Sequence, residues 1–186
     1  IADQADYRMH IRGLTEKKGH ITSSAKDETA ESVYEMYYEF DEPIEKLPGH
    51  RILALNRGEK EKILTVKILA PTEEIIRCLF KQVITNENPS TTPVLTETIA
   101  DAYARLIAPA IEREIRSALT EKAEDGAISV FGKNLQQLLM QPPIAGQVVL
   151  GWDPAFRTGC KLAVVDATGK VLDTTVIFPT APQNKV

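Results

Sequence analysis

Val148 to Phe178 reads VVLGWDPAFRTGCKLAVVDATGKVLDTTVIF. It breaks into three strand-like runs. Val148–Asp153 is apolar and ends in a carboxylate; Cys160–Asp166 lies between Arg157-Thr158-Gly159 and Ala167-Thr168-Gly169; Val171–Phe178 stops at Pro179. β-Branched content with Gly and Pro punctuation favours strands over helix. Asp166-Ala167-Thr168-Gly169-Lys170 has the composition of a tight turn: Asp bonds local backbone and Gly accepts φ > 0. The reading is a three-stranded antiparallel meander.

Outward from the meander, the preceding chain reads as mainly helical. Thr92-Pro93 is a helix start, a cap followed by Pro at the first helical position. The pattern then stays helical over 93–141, with stripes Ile99/Tyr103/Leu106/Ala110, Ile111/Ile115/Leu119/Ala123 and Phe131/Leu135/Leu138/Leu139. Pro109 lacks an N–H and crowds the Arg105 carbonyl, so an interruption is expected at 105–109. Gly126 is a second weak point, and Gln141-Pro142-Pro143 ends the helical part. Residues 86–92 (NENPSTT) form a linker. Upstream, helices are expected over Asp3–Lys18 with Gly19 after its end, from an Asp27 cap to about Tyr38, and from a Thr72 cap to Lys81. His20–Lys26 reads as a short polar strand or loop. Arg51–Asn56 and Lys62–Leu69 read as a β hairpin about Arg57-Gly58-Glu59-Lys60. The domains are then 1–146, helical with that small hairpin, and 147–186, the meander.

The 186 residues suffice for one domain or two small ones, and 43% hydrophobic content supports a packed core. The net charge of −4 sets the chain apart from free-standing basic nucleic-acid modules. Cys78 and Cys160 are too far apart in sequence for a disulfide framework or a metal knuckle and fit a reducing cytoplasm. No run approaches the ~20 apolar residues of a membrane helix. The first residue is Ile and the last lie in a polar tail, so both ends read as cuts. His10, His20 and His50 have no ligand spacing, and neither a phosphate-binding loop nor a nucleophile elbow is present. No cofactor and no metal are expected.

Gly151, Asp153, Pro154, Arg157, Thr158, Gly159, Lys161, Ala163-Val164-Val165-Asp166 and Thr168-Gly169-Lys170 follow the pattern G-x-D-P-G-x-R-T-G-x-K-x-A-V-V-D-x-T-G-K. This resembles the start of the YqgF-type RNase H-like domain of the Tex family of bacterial transcription accessory proteins. HRILALNRGEKEKIL (50–64) and ARLIAPAIEREIRSALTEKAE (104–124) resemble that family's central region. Ala155 departs from the family Gly. The resemblance implies an internal piece of a much longer protein, with a helix-turn-helix-like part, helix-hairpin-helix modules and an RNA-binding OB-fold elsewhere. It implies a fold that is mainly α with a small β hairpin, followed by a meander that opens an α/β RNase H-like domain.

The resemblance places Asp153 where RNase H-like folds hold a metal-binding carboxylate. Two-metal phosphoryl chemistry needs several such acids, and the partner acids would lie beyond Val186. Two readings stand: a vestigial metal position, or a carboxylate bonding the 154–159 loop backbone. Ala155 obstructs close approach of the backbone to phosphate. Arg157 and Lys161 could meet a phosphate or stand as solvated charges. Arg57, Lys60 and Lys62 read as a charge-mixed turn.

The implied function is a cytoplasmic, non-catalytic, nucleic-acid-binding scaffold tied to transcription. Nucleic acid, RNA or DNA, would be held mainly by modules absent from this chain, with transcription machinery as a further partner and no membrane. The alternatives are part of an RNase H-like nuclease or resolvase, and a protein-interaction module. With no aromatic-basic platform evident, nucleic-acid affinity of this chain is expected to be weak and salt-dependent. A meander apolar on both faces suggests a homodimer through strand pairing.

Overall fold

The computed structural model describes residues 1–27, 29–142 and 144–181. Glu28, Pro143 of the expected helix stop and the tail 182–186 lie outside the described residues. The chain divides into two compact units, Ile1–Lys133 and Asn134–Val186. The architecture is mainly α with two small antiparallel sheets, and the second sheet fits the opening of an RNase H-like domain.

The first unit is built on a sheet of β1 (His20–Ala25), β2 (Glu39–Pro43) and β3 (Leu64–Leu69), in the order β2-β1-β3. The expected hairpin of 51–69 is corrected. Gly49–Lys60 is a helix, α2, and β3 pairs with β1 instead, Ser23 opposite Val66. Ile52, Leu55 and Gly58 are buried three residues apart, one face of a helix rather than the alternation of a strand. The reversal after α2 is a Schellman motif. Ile63 N–H donates to the Gly58 carbonyl at 2.9 Å and Lys62 N–H to the Glu59 carbonyl at 3.0 Å. Lys62 takes the left-handed position at φ 63°.

A helix over 27–38 is also corrected. The Asp27 carboxylate accepts from Thr29 N–H (3.0 Å) and the Thr29 hydroxyl (2.7 Å). The Tyr38 hydroxyl donates to the Ser32 hydroxyl at 2.9 Å, and Tyr34 N–H donates to it at 3.0 Å. These local bonds compete with a helix ladder. What forms is one 3-10 turn, Glu35–Tyr37, and then β2. Tyr34 and Tyr37 still reach the core, whereas Val33 is exposed.

Three helices flank this sheet in sequence. In α1 (Ala5–Lys18) Ile11 and Thr15 are buried, and the Thr15 hydroxyl satisfies the Ile11 carbonyl at 2.8 Å. In α3 (Thr72–Val83) Ile75 and Leu79 are buried; Thr72 makes no cap bond, its hydroxyl donating to the Ala70 carbonyl instead. From Thr92 the chain stays helical to Leu139. It runs through α4 (Thr92–Asp101), a π segment at Ala102–Ile107 and α5 (Ala108–Leu139), and Gly126 does not interrupt it.

The π segment explains which residues are buried. Ile99, Tyr103, Ile107, Ile111 and Ile115 are all core, every fourth residue, while Leu106 is exposed. On an α-helix a four-residue step drifts about 40°, roughly 160° over this span. One wider turn absorbs an extra residue and cuts the drift to about 60°. The same widening sits directly before Pro109, whose missing N–H and ring would disrupt a regular turn.

The edge of β3 is closed by α5. Ile68 N–H donates to the Glu112 carboxylate at 3.0 Å, and the Arg116 guanidinium reaches the Val66 carbonyl at 3.5 Å. A four-residue helical step rises about 6.0 Å and a two-residue strand step about 6.8 Å, so the two ladders nearly match. Arg116 also donates to Glu59 at 2.5 Å, and Asn56 of α2 donates to the Thr120 hydroxyl at 2.8 Å. Glu114 receives Arg8 at 2.9 Å and Arg12 of α1. Gly49 lies so close to α5 that a Cβ there would stand 3.2 Å from Ala123 Cα. Beyond Ala123, the described side chains of α5 are exposed, Ile128, Phe131 and Leu138 among them.

Two stability predictions follow from these contacts. A non-glycine residue in the left-handed region costs about 1–2 kcal/mol, partly offset by the backbone entropy that glycine loses on folding. Lys62→Gly is therefore expected to stabilise the chain by about 0.5–1 kcal/mol, read as a higher urea midpoint; an unchanged or lower midpoint contradicts this. The Arg116 hydrogen bond holds the Glu59 carboxyl below its ordinary 4.5, with burial opposing and the Arg116 charge assisting. A folded-state value below the unfolded one stabilises at neutral pH, and that contribution is lost as pH falls through the folded value. The stability advantage of the wild type over Glu59→Gln should be flat above about pH 5.5 and shrink below about pH 4.5. Urea unfolding at stepped pH reads it, and a difference that persists unchanged to about pH 2 refutes the assignment.

Candidate functional site

The second sheet is the expected meander, β4 (Val149–Asp153), β5 (Cys160–Val165) and β6 (Val171–Ile177), paired in that order. The turn between β5 and β6 forms as the residues require. The Asp166 carboxylate accepts from Thr168 N–H (2.8 Å), the Thr168 hydroxyl (2.7 Å) and Lys170 N–H (3.0 Å), with Gly169 at φ 86°. The Thr168 hydroxyl, followed by these backbone donors, holds the Asp166 carboxyl below its ordinary value.

Asp153 ends β4 and stands directly opposite Lys161 on β5. Directly opposed residues share a sheet face. Gly151 opposes Ala163 in the next row, and these four line an open depression with Val176 of β6. Among the described residues none donates a hydrogen bond to Asp153, so the reading in which it ties down the loop backbone has no bond to support it. Nor do three His, Cys, Asp or Glu side chains cluster to hold a metal ion among the described residues. Asp166 lies five residues along β5 from Lys161, about 17 Å of extended strand. Asp173 opposes Val164 at that same far end.

The connecting loop, residues 154–159, carries Arg157 at its crest. Gly159 has φ 80°, and a Cβ there would sit 2.7 Å from both the Phe178 ring and Val176. Glycine is thus required twice, by the backbone and by the close approach to β6. Ala155 is half-buried. Two aromatic side chains that the motif does not mark are exposed here. Trp152 is 63% exposed and Phe156 is 89% exposed. The signal in the sequence was Phe156-Arg157, a large ring next to a guanidinium inside a turn.

The other candidates stand apart from this loop in sequence. Arg57 and Lys60 lie in the last turn of α2, where cations complement the helix dipole, and Lys62 follows in the reversal after it. His20 Nδ1 contacts Asp41 at 2.5 Å across β1 and β2. Cys78 is half-buried and Cys160 buried, both free thiols. No helix among the described residues is long and apolar enough to cross a membrane.

Gly159→Ala is expected to cost more than Gly169→Ala. Both pay the left-handed backbone penalty of about 1–2 kcal/mol, but a Cβ at Gly169 meets nothing within 4 Å. Amide exchange in β5 and β6 should accelerate more in the first variant; equal acceleration would rule out the Phe178 contact.

Comparison with known proteins places both parts of the chain. Residues 1–131 match the family described as Tex central region-like, and residues 147–186 match the Tex protein YqgF-like domain. Protein YdcI of Bacillus subtilis is 56% identical over all of this chain, which spans 26% of that protein. The human S1 RNA-binding domain-containing protein 1 is 33% identical over 96% of the chain and 19% of its own length. The transcriptional accessory protein Tex of Neisseria gonorrhoeae is 33% identical over 81% of the chain and 21% of its own length. The chain thus spans about a quarter or less of these relatives.

Proposed function

The chain belongs to the Tex family, and from that premise we propose that it serves as the central region, 1–146, and the opening strands, 147–186, of a cytoplasmic transcription accessory factor. In this reading it is a nucleic-acid-binding scaffold that performs no catalysis of its own. Two of its relatives, a transcriptional accessory protein and an S1 RNA-binding domain-containing protein, support by their names a role with RNA during transcription. Nucleic acid and the transcription machinery would be engaged largely through parts of a longer polypeptide.

The observation that supports the non-catalytic reading of this chain is that Asp153 is the one carboxylate among the described residues lining its depression. Hydrolysis of a phosphodiester by bound metal needs two or more carboxylates about one or two ions. Asp153 instead has Lys161 as its cross-strand neighbour. The free thiols Cys78 and Cys160 support a reducing compartment. The sheet leaves Leu150, Trp152, Val171 and Leu172 exposed.

The test uses the intact polypeptide with Mg²⁺ or Mn²⁺ and labelled single-stranded, duplex and branched substrates. The expected outcome is RNA binding that weakens with salt, with no cleavage, and no change on Asp153→Asn. Cleavage abolished by Asp153→Asn overturns the scaffold reading in favour of a nuclease, and so does an intact polypeptide that binds no RNA.

A further inference from the structure

We propose that the β4–β5 loop is itself a contact for single-stranded RNA, in which Phe156 stacks on a base and Arg157, with Lys161, holds the neighbouring phosphates. This rests on the scaffold reading above and assigns part of the binding to this chain. Three observations carry it.

First, Phe156 is 89% exposed, the most exposed of the large hydrophobic side chains among the described residues. Gly159, at φ 80°, seats the loop's end against Phe178 and Val176 with no room for a Cβ. An exposed ring has a face to offer, and every base has a π-face to meet it.

Second, the charge around the ring departs from that of the whole chain. Residues 148–163 contain Arg157 and Lys161 against Asp153 alone, a local balance of +1 in a chain of net charge −4. Arg157 adjoins Phe156, the pairing of guanidinium and ring that backbone-tracking grooves use. A hydrophobic protein partner would gain nothing from cations at this point, whereas a polyanion with exposed bases uses both.

Third, Trp152 is a second exposed aromatic, at 63%. It lies four residues from Phe156, within about 14 Å of chain.

Trp152 is the sole tryptophan of the chain, so its fluorescence reports from beside the loop. The 186-residue chain is titrated with a 12-nucleotide uridine oligomer, and separately with the deoxythymidine oligomer, over a salt series. Saturable quenching by the uridine oligomer is expected. Phe156→Ala should weaken binding about 5- to 150-fold, the range found when a stacking ring is removed. Phe156→Leu, which keeps apolar bulk without the π-face, should lose a similar factor, and Phe156→Tyr should stay near wild type. Arg157→Ala should reduce the slope of log affinity against log salt by about 0.7, one phosphate on a single strand.

Circular dichroism confirms that each variant is folded. Binding unchanged in Phe156→Ala and Phe156→Leu overturns the loop assignment, as does the absence of binding by the chain. Tighter binding of the deoxythymidine oligomer overturns the assignment to RNA. In each of these cases RNA binding by the intact polypeptide leaves the scaffold reading standing, so the two failures are told apart.

Discussion

The first unit depends on how the edge of β3 is closed. β3 pairs with β1 on one side only, which leaves the outward N–H and C=O groups of Val66 and Ile68 in need of partners. An open edge is both an energetic liability and a template for unwanted pairing. Here a helix takes the place of a fourth strand: Glu112 receives Ile68 N–H and Arg116 reaches the Val66 carbonyl. The near match of the helical and strand repeats makes this arrangement extend over two positions. Arg116 then ties in Glu59 of α2, and Glu114 ties in α1. Ionic groups on one helix thereby determine where α1, α2 and β3 stand. The opposite edge, β2, is protected differently, being short and carrying Glu39, Asp41 and Glu42.

That closure works only if α5 presents the right face, and the π segment provides this. Ile107, Ile111 and Ile115 point into the core and so set Glu112 and Arg116 along the strand edge. Pro109 makes a regular turn costly at that point, and the sequence places the wide turn directly before it. One proline thus links local backbone chemistry to the packing of a whole helix. The exposed apolar residues after Ala123 belong to a part of α5 that these contacts do not reach.

Much of this was legible in the sequence where the signal was local. The meander and its Asp166 turn rest on residues that act on their own neighbours, and they form as read; the helix start falls one residue earlier than the Thr92-Pro93 signal, with Thr91 at the cap position. Elements that depend on distant partners were harder. The Arg51–Asn56 run is rich in Ile and Leu, which suit either element, and only its packing face marks it as helix. The helix expected over 27–38 does not form because Ser32 and Asp27 divert the backbone locally, and β2 begins just beyond it. Leu106 was placed in the core stripe because no sequence rule marks a π turn. At the candidate site, Asp153, Arg157 and Lys161 were found by a motif. Phe156 was not, because exposure is a property of the folded loop and not of the residue type.

The exchange rate of the Ile68 amide tests the edge closure most directly. Its hydrogen bond runs to the Glu112 side chain rather than to a neighbouring strand. The account predicts that hydrogen exchange at Ile68 is as slow as at the central strand residues of β1, and that Glu112→Ala accelerates it far more than it accelerates β1. Exchange at Ile68 as fast as at an open sheet edge, or indifferent to Glu112→Ala, would contradict it.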